Sequence, residues 1–211
     1  MIDYIGLAGY ARSGKDTIAQ YLNMRYGHKK VSFADPIKEA LYALSPIVYV
    51  NSDPENSEHT ELMQALGAPD NRPGAKDGGG YLRLSVAVDH FGWEQLKDIS
   101  PDVRGLMQRM GTEVARKQWG ENFWVEKALE KLVGERRFVM PDVRFKNEAN
   151  SVLKYGGELW LIEREGIGPA NDHPSETGIE RFPYTRVIKN NGTPDELYDQ
   201  IDALMSESEN K

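Results

Sequence analysis

An apolar run, Tyr4-Ile5-Gly6-Leu7-Ala8, leads directly into Gly9-Tyr10-Ala11-Arg12-Ser13-Gly14-Lys15-Asp16-Thr17, and the apolar spacing that follows (Ile18, Ala19, Tyr21, Leu22) is helical. A strand that breaks into a glycine-bracketed loop and re-emerges as a helix is a cradle for phosphate. Its backbone N–H groups turn inward, the helix N-terminus adds a positive dipole, and the lysine brings a mobile cation to the outer phosphates. Gly9 and Gly14 are required because a side chain at either position would hold the backbone away from the anion. The plainer alternative, a glycine-containing turn with a surface lysine, accounts for neither the strand before nor the helix after. Gly9, Arg12, Ser13, Gly14, Lys15, Asp16 and Thr17 are therefore the first candidate nucleotide contacts. The residue after the lysine is usually Ser or Thr, whose hydroxyl ligates Mg²⁺; here it is Asp16, with Thr17 next. Asp16 acting through water and Thr17 taking the hydroxyl role are both compatible with the spacing.

Strand-like segments at 4–8, 30–33, 137–141, 158–162 and 186–189 alternate with helical patterns at 15–26, 36–44, 102–119, 123–134, 145–155 and 194–206. That alternation predicts an α/β fold with a parallel central sheet, helices on both faces and ligands at the carboxyl ends of the strands. Two stretches interrupt it. Residues 45–100 are rich in Pro, Gly and Asp, and the glycine-rich tip at 71–80 reads as mobile. Residues 165–185 form a second polar excursion, of a length expected of a lid or a linker. The chain has no cysteine, which excludes disulfides and thiolate metal sites. No apolar run approaches the roughly 18 residues of a membrane span, and no secretory signal is expected from the N-terminal strand. A net charge of −7 without a basic stretch argues against a nucleic-acid grip. The expected class is a cytoplasmic enzyme, and oligomeric state stays open between monomer and homodimer.

Further candidates follow the strands. Asp142 ends the apolar run Phe138-Val139-Met140-Pro141, placed either to reach Mg²⁺ or a metal-bound water, or to cap the next helix; Arg144 stands two residues on, within reach of a phosphate. Asp35 closes the second strand, as a helix cap before Pro36 or as a contact to an acceptor. Lys38, one turn on, is either an acceptor contact or a solvated lysine. Leu106, Met110 and Val114 are spaced to face a core, while Arg104 and Gln108 share another face at i, i+4 as a possible phosphate clamp and base-reading amide, or simply a polar outer face. Arg164 and Arg181 bracket Asp172-His173-Pro174-Ser175-Glu176, where lid arginines would neutralise a transferred phosphoryl group; His173 and Glu176 lack a third ligand for zinc and suit hydrogen bonds within the lid. Asn190-Asn191-Gly192-Thr193 follows the last strand, with Thr193 and Glu196 forming a capping box and the two asparagines expected beside the phosphate loop.

Taken together, these residues resemble the deoxynucleoside monophosphate kinases of tailed bacteriophages, within the nucleoside monophosphate kinase-like P-loop group. The similarity rests on Gly-x-x-x-Ser-Gly-Lys-Asp-Thr at 9–17, Phe-Ala-Asp-Pro-Ile-Lys at 33–38 and Arg-x-Leu-x-Gln-x-x-Gly-Thr-Glu at 104–113, then on Asp-Val-Arg-Phe-x-Asn-Glu at 142–148, His-x-Ser-Glu at 173–176 and Asn-x-Gly-Thr at 190–193. It implies a three-layer P-loop domain with a core at about 1–44 and 134–211, a helical acceptor-binding insertion at about 45–133 and a lid at about 164–185. It implies ATP as donor, Mg²⁺ as cofactor and a deoxynucleoside monophosphate as acceptor, yielding ADP and the diphosphate for DNA precursor synthesis. Lys15, Arg144, Arg164 and Arg181 would act on the transferred phosphoryl group, and Asp16 or Thr17, with Asp142, on the metal. Asn190, Asn191 and Gly192 would complete the ATP site. Asp35, Lys38, Arg104, Gln108, Thr112, Arg144, His173 and Glu176 would hold the acceptor. A dephospho-coenzyme A kinase-like enzyme and a nucleotide-hydrolysing regulatory protein are the alternatives.

Overall fold

The computed structural model describes residues 2–51, 61, 65, 79–169, 173, 174, 178 and 182–207. These form two compact units, one from Met1–Asp35 with Trp119–Lys211 and the other from Pro36–Gln118.

The first unit is built on a five-stranded sheet, β1 (Tyr4–Ala8), β2 (Lys29–Lys30), β5 (Phe138–Met140), β6 (Glu158–Glu163) and β7 (Arg186–Lys189), in the order β2-β5-β1-β6-β7. Every pairing is parallel, with Tyr4 opposite Phe138, Ala8 opposite Leu161 and Glu163 opposite Lys189. Side chains alternate across the sheet with period two. On one face Ile5, Leu7, Val139, Trp160 and Ile162 meet Ile18 and Leu22 of α1 (Lys15–Tyr26) and Leu197, Ile201 and Met205 of the C-terminal helix Pro194–Glu207. On the other, Ala8, Phe138, Met140 and Leu159 meet Val125 and Ala128 of helix Phe123–Glu130 and Ala149 and Val152 of helix Lys146–Lys154. Ile5, Leu7, Ile18 and Leu22 are fully buried, each worth about 1.5–3 kcal/mol relative to exposure. The α/β layering expected from the alternation is the observed one.

Strand β2 is shorter than the expected 30–33 because the donors that would extend it are used elsewhere. The Ser32 N–H donates to Asp35 Oδ2 at 2.9 Å, and Phe33 and Ala34 N–H donate to Asp142. Side-chain acceptors thus replace the ladder with a turn. Helix Phe123–Glu130 stops short of 134 because Lys131 and Leu132 bond back only three residues, to Ala128 and Leu129, tightening the last turn.

The second unit contains α2 (Asp35–Leu44), an antiparallel pair β3 (Ile47–Val50) and β4 (Gly80–Arg83), α3 (Leu84–Ile99) and α4 (Pro101–Gln108). Its own core gathers Leu41, Val48, Val50, Leu82, Leu84, Leu96 and Val103. Leu41 of α2 packs in this core, whereas Val125 and Ala128 of helix Phe123–Glu130 pack on the sheet of the first unit. The insertion is not purely helical. Residues 45–51 and 79–100, within the stretch that interrupts the expected alternation, carry the strand pair and a helix that breaks at Gly92 (φ 69°, ψ 162°). The glycine-rich 71–78 lies outside the described residues.

The helix expected at 102–119 is wound in three ways: α over Pro101–Gln108, π over Arg109–Arg116 and α again over Lys117–Trp119. The wider turn changes which residues face inward. Gly111 and Ala115 are buried, while Val114, expected in the core, is exposed. Gly111 allows the close approach, since a methyl there would lie 3.0 Å from Ile37 Cδ1 of α2. No helix among the described residues is long and apolar enough to cross a membrane.

Candidate active site

Between β1 and α1 the chain makes the expected loop. Gly9 (φ 147°) and Gly14 (φ 104°) both lie where side chains are strained. A methyl at Gly9 would sit 2.5 Å from Ile162 O and 2.8 Å from Ser13 Oγ, and one at Gly14 would strike the Asn190 amide. Arg12 also has positive φ, at 66°. The Lys15 side chain is 8% exposed and folds back over the loop, its Nζ donating to Tyr10 O at 2.5 Å and to Ser13 Oγ at 3.4 Å. A buried ammonium resting on backbone and hydroxyl oxygens is poised to exchange them for phosphate oxygens.

The last strand braces this loop. Asn190 Nδ2 donates to Ser13 O at 2.8 Å, and Asn191 Oδ1 accepts from Glu165 N at 2.9 Å. Arg164, just beyond β6, donates to Arg12 O at 3.4 Å. The asparagines therefore hold the loop and the start of the 164–185 excursion. Thr193 and Glu196 cap the final helix reciprocally, at 2.7 and 3.3 Å, with Gly192 against the Glu196 carboxylate. Beside the loop opens a cleft of about 400 Å³ walled by Tyr10, Ser13, Ile162, Arg164, Lys189 and Asn191.

A second set of residues gathers at the carboxyl ends of β5 and β2. Asp142 accepts from Ser32 Oγ, from Phe33 N at 3.0 Å and from Ala34 N at 2.9 Å. Three of about four lone-pair positions on this carboxylate thus serve the turn that carries Asp35. Asp35 caps that turn through Ser32 N instead of the helix it begins. Arg144 is half-buried, and its N–H and that of Phe145 both donate to Glu148 Oε2, at 2.8 and 3.0 Å. Glu148 is 4% exposed, so its carboxylate fixes the chain at Arg144 from within. The 164–185 excursion passes close by: a methyl on Gly178 would lie 3.0 Å from Arg144 O. His173 is half-buried; Arg181 and Glu176 lie outside the described residues.

At the start of α1, Asp16 pairs with Lys30 Nζ at 2.7 Å, its own side chain 76% exposed, and Thr17 is exposed. No three described His, Cys, Asp or Glu residues converge on one point. Magnesium bound with a nucleotide needs only one or two protein oxygens, because phosphates and water complete its shell. The exposed Asp16 carboxylate and Thr17 hydroxyl fit that requirement.

In the second unit, Arg104 does not extend freely from its helix. Its Nε donates to Lys97 O at 3.1 Å and one Nη to Asp98 Oδ1 at 3.0 Å. Lys38 approaches Glu94 at 3.8 Å, and Gln108 and Thr112 are half-buried. The sequence assigned no role to Lys30, Ser32, Glu94 or Lys97, and none to Glu148 beyond closing the 142–148 motif. Only Glu148 carried a usable signal, as the acid one turn into a helix that begins after Phe145.

The description "deoxynucleotide monophosphate kinase" belongs to the family model that matches residues 3–68 and 88–201. A mimivirus protein named as a putative deoxynucleotide monophosphate kinase is 32% identical over 93% of each chain. The deoxynucleotide monophosphate kinases of Escherichia phage RB69 and Enterobacteria phage T4 are 26% and 24% identical, over 97% and 93% of this chain and 100% and 96% of theirs. Matched over nearly its whole length, with the phosphate loop and the Asp142–Glu148 turn in place, the chain belongs to the deoxynucleotide monophosphate kinase family.

Proposed function

We propose that the protein transfers the γ-phosphoryl group of ATP to a 2′-deoxynucleoside 5′-monophosphate, giving ADP and the deoxynucleoside diphosphate. The observation that carries this reading is the buried Lys15, parked on Tyr10 O inside a glycine-bracketed loop whose shape is braced by Asn190. In that place Lys15 exchanges Tyr10 O for the β- and γ-phosphate oxygens of ATP, and the N–H groups at the start of α1 take the remaining charge. The neighbouring cleft has a volume suited to a nucleoside and is walled by chain ends that Asn191 and Arg164 hold in position.

No covalent intermediate is required. Rate arises from holding two anions in line and from cations directed at the charge that spreads over the transferred group. Arg144, locked at its backbone by Glu148, is assigned to that charge, with Arg164 and Arg181 closing from the 164–185 excursion. Asp16 and Thr17 would hold Mg²⁺, which neutralises the β- and γ-phosphates when bound. Asp142 positions the 32–35 turn; Asp35, His173 and Glu176 are assigned to the acceptor, as are Lys38, Arg104, Gln108 and Thr112 of the second unit.

A coupled assay of ADP production with ATP and each of dAMP, dGMP, dCMP and dTMP tests the reading, with dephospho-coenzyme A as comparison acceptor. Turnover of at least one deoxynucleotide, lost in Lys15→Met at an unchanged circular dichroism spectrum, is expected. Turnover of dephospho-coenzyme A alone, or ATP hydrolysis indifferent to any acceptor, overturns it.

A further inference from the structure

Four charged side chains from three elements of the second unit converge on one place. Lys38 comes from α2, Glu94 and Lys97 from the part of α3 beyond its break at Gly92, and Arg104 from α4. Glu94 Oε1 lies 2.7 Å from Lys97 Nζ and 3.8 Å from Lys38 Nζ. The two lysine side chains are only 17% and 22% exposed, whereas that of Glu94 is 78% exposed. The cations are therefore fixed by packing, and the anion between them stands in water. Arg104 is fastened to the same helix end through Lys97 O and Asp98.

We propose that Lys38, Lys97 and Arg104 form the seat for the 5′-phosphate of the acceptor nucleotide, and that Glu94 fills this seat as a displaceable stand-in when no acceptor is bound. The inference rests on the phosphoryl-transfer reading above and assigns that reaction two residues, Lys97 and Glu94. Among the described residues, three cations face two carboxylates here, Glu94 and Asp98, a local excess of positive charge on a chain of net charge −7. Burial pushes the Lys97 ammonium below its usual range; Lys38 and Arg104 push the same way, and Glu94 opposes them. A dianionic phosphate relieves that excess better than one carboxylate, and it offers three acceptor oxygens to two ammoniums and a guanidinium. Glu94 is the exposed member of these pairs, so water takes over its carboxylate when it swings out of the seat.

Glu94→Gln separates a stand-in from a brace. With saturating ATP and the deoxynucleotide that the wild-type enzyme turns over best, Lys97→Met raises the acceptor KM about ten-fold or more, as expected for a lost charged hydrogen bond. Its ATP KM stays within two-fold, and Lys97→Arg recovers part of the loss. Glu94→Gln lowers the acceptor KM about three-fold or more, and inorganic phosphate becomes a stronger competitor of the acceptor. Thermal unfolding of each variant is recorded beside its kinetics. An acceptor KM that rises or stays level in Glu94→Gln, or is unmoved in Lys97→Met at an unchanged melting temperature, overturns the seat while leaving phosphoryl transfer intact. A wild-type enzyme that phosphorylates no deoxynucleotide removes the reading beneath both.

Discussion

Gly9→Ala offers the sharpest physical test of the phosphate loop. The substitution imposes two separable costs. The first is conformational: φ of 147° is a region that side-chain-bearing residues rarely adopt, at about 1–3 kcal/mol. The second is steric, since the new methyl lies 2.5 Å from Ile162 O and 2.8 Å from Ser13 Oγ. One of those neighbours is strand backbone of β6, where Ile162 pairs with Ile188 of β7, so it cannot yield cheaply, and overpacking adds about 1–3 kcal/mol. The expected total is about 2–6 kcal/mol, unless the loop moves away and loses its fit to phosphate. Gly27→Ala is the control: its φ is also positive, at 74°, but nothing lies within 4 Å of the added methyl. It carries only the left-handed penalty of about 1–2 kcal/mol. Urea unfolding followed by circular dichroism, together with the ATP KM, reads both variants. Gly9→Ala should be the less stable by at least about 1 kcal/mol, or should raise the ATP KM strongly, and Gly27→Ala should leave ATP binding alone. Equal stability losses with an unaltered ATP KM in both would refute the claim that close packing of the loop on β6 sets its shape.

Asn190→Ala removes the donor to Ser13 O, worth about 1 kcal/mol, so the ATP KM should rise about five-fold while the acceptor KM holds; an unchanged ATP KM in steady-state assays argues against the brace. His28 is fully buried, its Nε2 donating to Ile2 O at 2.8 Å, and burial lowers its pKa. The folded state then binds its proton less readily than the unfolded state, so this contribution is full above pH about 6.5 and is lost as pH falls below it. Urea midpoints at pH 7.5 and 5.5 should differ less in His28→Gln than in wild type. Tyr21 and Tyr26 both donate to Asp202 Oδ1, at 2.8 and 2.7 Å, and burial first, then this bond, raises the Tyr26 phenol to about 12. Stability from this group is present below pH about 10 and lost as pH climbs through about 12. In Asp202→Asn, ultraviolet titration should show a phenol ionising nearer pH 10, and stability at pH 7 should fall by about 1–2 kcal/mol.

Legibility in the sequence followed how locally each feature is encoded. The phosphate loop was readable because strand, glycine spacing, lysine and helix are contiguous, and β7 with the Thr193–Glu196 cap for the same reason. The β3–β4 pair was not, because its strands are four residues each and about thirty residues apart, leaving no hairpin signature. The π-wound segment defeated the periodic reading, since Leu106, Met110 and Val114 share a face only at 3.6 residues per turn. At the site, Asp142 was legible as important but not as the acceptor of three bonds from 32–34, which required knowing that β2 lies beside β5. Lys97 and Glu94 stayed hidden because the break at Gly92 and the packing of α2 bring them to Lys38.

The strand order carries a cost during synthesis. β1 and β2 leave the ribosome first, yet they are not neighbours; each waits for β5, which lies between them and is encoded about a hundred residues later. At about 5–20 residues per second, that delay is roughly 5–20 s. Throughout it the nascent N-terminal strands show unpaired edges, while the Pro36–Gln118 unit has all its own apolar partners to hand. The inserted unit should therefore collapse first, and the growing chain should be most vulnerable to aggregation just before Met140 emerges.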